Sequence, residues 1–121
     1  MKDRTKAFAL RVIRLYSALP KITEAQVIGK QLLRSATSVG AHFREATRGR
    51  SKAEFISKIE GGLQKLEESK YWMELLVDAD IIPQQRLNGL MAEADELMAI
   101  LITCVKNTRM KQLKPEGGKE I

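Results

Sequence analysis

One histidine, one cysteine and several rows of carboxylates are where acid–base or metal chemistry would have to be built in this chain. His42 and Glu45 stand one helical turn apart, and Glu67 follows on the next predicted helix. A catalytic reading makes His42 the general base and Glu45 or Glu67 the group that orients it. That reading lacks a nucleophile for them to activate, a phosphate-binding loop and any segment that would shape a pocket, so no catalytic residue is assigned. A metal reading fares worse. Di-iron bundles place Glu-x-x-His on inward faces, whereas the order here is His42-x-x-Glu45, with a single histidine. No EF-hand spacing is present for a hard cation, and neither a metal nor a cofactor is expected. Cys104 reads as a small core residue. Being alone, it excludes an internal disulfide and fits a reducing compartment.

Ser38, His42, Glu45 and Glu67 read better as a half-buried polar network. They flank the apolar seams of two helices, where such rows set register and partner choice. Cations carry the other possible chemistry. Lys30, Arg34, Arg44 and Arg48 fall within about 80° of one another on one helix face, at 3.6 residues per turn. Arg50 and Lys52 follow at the break after that helix. Six cations around one helix and its end form a phosphate-tracking surface. The free amides at the start of the next helix could add to it. No aromatic residue interleaves with these cations, which points to backbone contact without sequence readout. Two plainer readings compete: a solvated face that keeps the protein soluble, or pairing of Arg34 or Arg44 with carboxylates of a neighbour.

Charge is distributed unevenly. Residues 1–52 carry a net +9, residues 53–105 a net −6 and residues 106–121 a net +3. Such a polarised chain attracts polyanions, and it can equally set one subunit's basic face against another's acidic face.

These groups must be positioned by helices. At 121 residues the chain is one domain with a core of modest size. Few aromatics and three prolines favour an all-α fold. The first helix is expected over about residues 3–19, with Phe8, Val12, Leu15, Tyr16 and Leu19 inward and Pro20 as its stop. The second is expected to open at Thr23 with a Thr23-x-x-Gln26 capping box. Ala25, Gly29, Leu32, Ala36, Val39, Phe43 and Ala46 continue it as a heptad seam of mostly small residues. Gly49 marks its end. The third opens at Ser51 with a second capping box to Glu54 and runs to about Asp78. Its stripe is Phe55, Ile59, Leu63, Leu66, Met73 and Val77, with Lys70 among them expected to snorkel or pair with a carboxylate. Gly61 and Gly62 inside it imply close backbone packing. The fourth follows the turn ending at Pro83 and carries Leu87, Leu90, Ala94, Leu97, Leu101 and Cys104. Four such helices with short connections read as an antiparallel, up-down-up-down four-helix bundle. The bundle domain is expected over residues 1–107, and a basic, disordered tail over 108–121. No apolar run approaches the roughly 20 residues of a membrane span, and no signal peptide is read at the N-terminus. The expectation is a cytoplasmic protein without a membrane partner.

The segment Tyr71-Trp72-Met73-Glu74-Leu75-Leu76-Val77 is apolar almost all round its helix. A helix of that kind is covered on both sides. Tyr71, Trp72, Leu75 and Leu76 are therefore expected at an oligomer interface. The plainer reading has Trp72 partly exposed and shielded by a loop or the tail.

Three ordered blocks carry a resemblance. They are QLLRSATSVGAHFREA from Gln31, RSKAEFI from Arg50 and ESKYWMELL from Glu68. They resemble the bacterial four-helix-bundle family named for proteins encoded in intervening sequences of 23S ribosomal RNA genes, over roughly residues 6–105. The resemblance implies an antiparallel bundle assembled as a homopentameric ring. A related branch, the accessory variability protein of diversity-generating retroelements, implies a pentamer whose basic surface binds RNA or DNA and a reverse transcriptase. The family usually carries Asn where this chain has His42; only if that position fixes a buried network with Ser38 and Glu45 is a response to pH expected. Ribosome binding does not follow from the family's name. The functional expectation is a non-enzymatic homo-oligomer that binds nucleic-acid backbone through its six cations. The alternative is a scaffold whose partner is a protein and whose charges serve assembly.

Overall fold

Apolar residues three and four positions apart wind the chain into four helices: α1 Lys2–Ser17, α2 Thr23–Thr47, α3 Lys52–Asp78 and α4 Gln84–Leu113. The computed structural model describes residues 1–113, and no strand occurs among them. Each helix packs on its neighbour in sequence, and α1 meets α4 along a thin seam that closes the ring of four. The diagonal pairs, α1 with α3 and α2 with α4, do not bring their backbones close among the described residues. The result is an up-and-down four-helix bundle with α2 and α3 as its most extensive contact.

The core runs along the bundle axis. Phe8, Val12, Leu32, Val39, Ile59, Leu66, Met73, Leu76, Leu87, Leu97 and Leu101 are all essentially buried. The α2 seam holds as expected at Ala25, Gly29, Leu32, Ala36, Val39 and Ala46, while Phe43 is half-buried at its edge. The α3 stripe differs. Ile56, Ile59, Leu66, Met73 and Leu76 are buried, and Phe55, Leu63 and Val77 pack against the core from its margin. The helix lies between α2 and α4, so its buried face is wide, and a narrow stripe does not describe it. Cys104 is half-buried.

Local signals succeed unequally at the helix ends. Ser51 caps α3 as expected, its Oγ accepting from the Glu54 amide at 3.0 Å. The capping box at Thr23 does not form. Ile22 is the N-cap of α2 and makes no side-chain bond. Gln26 is engaged elsewhere: its Nε2 donates to the Pro20 carbonyl, and its Oε1 accepts from the Tyr16 hydroxyl, both at 3.0 Å. Gly49 follows the α2 C-cap without a positive φ. Its small size is what serves, since a Cβ there would lie 3.1 Å from the Ala46 carbonyl and 3.3 Å from the Phe55 amide. Asp80 takes the left-handed conformation, φ 58°, in the turn before α4. Its short polar side chain tolerates that region.

α4 does not end where its apolar pattern fades. It continues to Leu113, with Arg109 Nη2 paired to Glu60 of α3 at 2.7 Å. The tail expected from residue 108 is thus helical at its start, and its remainder, 114–121, lies outside the described residues.

Candidate nucleic-acid interface

Small residues let α2 and α3 approach closely. At Gly61 a Cβ would stand 2.9 Å from His42 Nδ1, and at Gly62 it would stand 3.6 Å from His42 Cβ. His42 of α2 therefore rests on the α3 backbone. Its Nδ1 has no hydrogen-bond partner and lies 3.7 Å from Glu45 Oε1. Lys58 of α3 reaches the same Glu45 oxygen at 3.6 Å.

The expected polar network is only partly assembled. His42 and Glu45 are together. Ser38 instead donates to its own helix, to the Arg34 carbonyl at 2.7 Å. Glu67 is exposed. The buried polar link between the two helices is Ser35–Ser69, hydroxyl to hydroxyl at 2.9 Å. Each hydroxyl has one proton, so while one serine donates across the pair the other donates to a carbonyl of its own helix, Ser35 to Leu32 or Ser69 to Lys65. Sequence reasoning passed over both serines. The available signal was their position beside the α2 and α3 seams.

Because α2 turns its small residues inward, its long cationic residues point outward. Lys30, Arg34, Arg44 and Arg48 are all exposed, as are Arg50 and Lys52 at the break. None of the six takes part in a salt bridge among the described residues. Pairing with an acid of the described residues is therefore not what holds Arg34 or Arg44. From Lys30 to Arg48 the row spans about 27 Å at 1.5 Å per residue. Arg50 and Lys52 join Lys111 of α4 around an open cleft of about 490 Å³ beside Gly49, Ser51 and Thr108. Lys111 was not part of the expected surface, because the helix carrying it was expected to have ended.

Other charges are committed. Lys70 pairs with Asp95 at 2.6 Å, as its place in the α3 stripe suggested. Lys65 pairs with Glu68. Arg4 binds Glu93 and Glu96, whose hydrogen bonds, Glu93's first, push its pKa upward. The described residues contain no group of three or more potential metal-ligating side chains. No described helix is long and apolar enough to cross a membrane.

The expected interface segment divides. Leu76 is fully buried in the chain's own core, so it is removed from that surface. Three residues on from Met73, it continues the buried α3 stripe. Trp72 packs partly against the core, and Leu75 is half-buried. Tyr71 is half-exposed and stacks edge-on against Trp72 at 5.0 Å. Leu10 and Ile13 on α1 and Val27 on α2 are further exposed apolar residues that the periodicity did not single out.

Comparison with known proteins bears on the whole bundle. The sequence model of the family described as 23S rRNA-intervening sequence protein matches residues 1–103. A crystal structure at 1.70 Å resolution, of a protein with unknown function from the S23 ribosomal protein family of Bacteroides thetaiotaomicron VPI-5482, is 36% identical with a TM-score of 0.82. That match covers 87% of this chain and 97% of the other. No curated protein matches.

Proposed function

The chain belongs to the 23S rRNA-intervening sequence protein family, and we propose that it is a non-enzymatic protein that binds RNA or DNA backbone through the outward face of α2. One observation carries the reading: Lys30, Arg34, Arg44, Arg48, Arg50 and Lys52 are exposed and unmatched by any acid of the described chain. An unmatched row of cations on a rigid helix gains by releasing the counterions of a polyanion. No aromatic side chain stands in the row on α2 itself, which favours phosphate contact there over base stacking, while Phe55 lines the cleft shared by Arg50, Lys52 and Lys111. Lys111 extends the surface around the end of the bundle. The test is a gel-shift titration of RNA fragments across ionic strength. A shift at low salt that disappears steeply as salt rises is the expected result, and no shift at low salt would refute the reading.

A second reading rests on the half-exposed Tyr71 beside Trp72 and the exposed acids Glu67, Glu74 and Asp78 of α3. In it the chain is a homo-oligomeric scaffold, a pentamer as the family resemblance implies, with a protein partner such as a reverse transcriptase. Light scattering decides assembly: a mass near 13.6 kDa would refute it.

A further inference from the structure

The α1/α4 seam changes character along its length. Near the start of α1, Arg4 is matched: its guanidinium donates to Glu93 at 2.7 and 3.0 Å and to Glu96 at 3.0 Å. Two turns further on, the acids run out. Arg11 and Arg14 of α1 and Arg86 of α4 line one cleft of about 300 Å³, with Leu15, Ala18 and Leu90. None of the three takes part in a salt bridge among the described residues. Gly89 of α4 lies beside Arg11. A Cβ there would stand 3.0 Å from Arg11 Nη2, so the guanidinium reaches the helix where no side chain intervenes. Glycine is unfavourable inside a helix, and here it gives that side chain its place.

We propose that this cleft binds a phosphate group carrying two negative charges, as in pyrophosphate or a terminal phosphate monoester. Three like charges around one space repel each other, and an oxyanion between them converts the repulsion into attraction. Each guanidinium offers a planar fork of donors, the geometry that pairs with phosphate oxygens. A carboxylate has two oxygens and one charge, and an internal phosphodiester has two free oxygens and one charge. A monoester presents three free oxygens and about two charges, and each end of pyrophosphate likewise presents three free oxygens, which is the better match for three forks. Leu15 and Leu90 supply an apolar wall that excludes some water and strengthens the contacts. The site lies between α1 and α4, not on the outward face of α2, and does not rest on the backbone-binding reading.

Calorimetric titration of the full chain with pyrophosphate, at ionic strength held constant with chloride, tests it. Saturable binding is expected, weakened roughly ten-fold or more by Arg86→Gln and again by Arg14→Gln, since hydrogen bonds to charged groups are the stronger kind. Arg34→Gln with Arg44→Gln should leave it unchanged. All three cleft arginines are exposed, so thermal melts of these variants should match the parent and keep the comparison clean. No saturation, or binding that survives Arg11→Gln, Arg14→Gln and Arg86→Gln together, overturns the proposal. Loss in the α2 variant with retention in the cleft variants overturns it as well. Two otherwise identical oligonucleotides, one 5′-phosphorylated and one 5′-hydroxyl, identify the source. A preference for the phosphorylated strand that Arg86→Gln removes assigns the cleft to nucleic-acid ends. Equal binding of the two strands, with pyrophosphate still saturable, assigns it to a small phosphate compound.

Discussion

Replacing Arg34 and Arg44 together by Ala removes two of the four cations on the outward face of α2 while leaving the core and every ion pair in place. Both side chains are exposed, and alanine is the best helix former, so stability should hold within about 0.5 kcal/mol. The effect belongs to binding. If six cations each neutralise one phosphate, log Kobs falls against log salt with a slope of about −5.4 on duplex DNA and about −4.2 on a single strand. Between roughly 50 and 200 mM salt that slope costs about three orders of magnitude in affinity on duplex. The double variant should show a slope shallower by about 1.8 on duplex. It should therefore lose most against the parent at low salt and approach it at high salt. Fluorescence anisotropy with a labelled duplex, repeated at several chloride concentrations and with a scrambled sequence, reads both quantities. An unchanged slope would refute phosphate contact by α2, even if affinity fell. Affinities that differed widely between the two sequences would refute backbone-level recognition.

The remaining predictions concern the packing that holds that face. Leu76→Ala, at a fully buried position, should destabilise the chain by about 2–5 kcal/mol in urea unfolding, whereas under the scaffold reading Trp72→Ala should weaken subunit association. An unchanged oligomer mass would place Trp72 outside any subunit contact. Ser69→Ala should cost about 1 kcal/mol, because it removes one partner of a buried hydroxyl pair. The Ser35→Ala, Ser69→Ala double variant should recover part of that loss, and additive losses would show that the two hydroxyls do not act together. Gly61→Ala should gain about 1 kcal/mol in a His42→Ala background, where helix propensity acts alone. With His42 present it should gain less or lose, because the new methyl meets the imidazole ring at 2.9 Å. Equal effects in the two backgrounds would contradict the contact.

Which parts of this fold could be read from sequence follows from how many neighbours each helix has to satisfy. α2 shows one seam at regular spacing, and all of it except Phe43 is buried. α3 lies between two helices, so its buried arc is broad and the choice of stripe slipped toward Phe55, Leu63 and Val77. The same breadth made Leu76 look like a surface residue. Capping was legible where nothing competed, at Ser51, and illegible at Thr23, where Gln26 bonds to Tyr16 and Pro20. The α2 cations were legible because they share one helix face. The Arg11, Arg14 and Arg86 cluster was not, since it exists only through the tertiary register of α1 against α4. Lys111 was missed because periodicity ends before the helix does.

Glycine, alanine and serine between α2 and α3 link these features into one design. Gly61 and Gly62 each cost on the order of 1 kcal/mol of helix propensity relative to Ala. In return His42 lies against the α3 backbone, and the Ser35–Ser69 bond forms across the contact. With inward positions given to small residues, the long side chains of α2 are left to its outward face, where four cations ride on the most extensively packed helix pair of the bundle. The α1/α4 seam has the opposite construction: a thin contact, a matched Arg4 at one end and unmatched arginines, with Arg11 beside Gly89, at the other. Local stability follows buried contact, so the α2 row is held at fixed spacing, as a surface tracking successive phosphates requires. The arginines of the α1/α4 cleft sit on the thinner seam and converge on one small space rather than along a row.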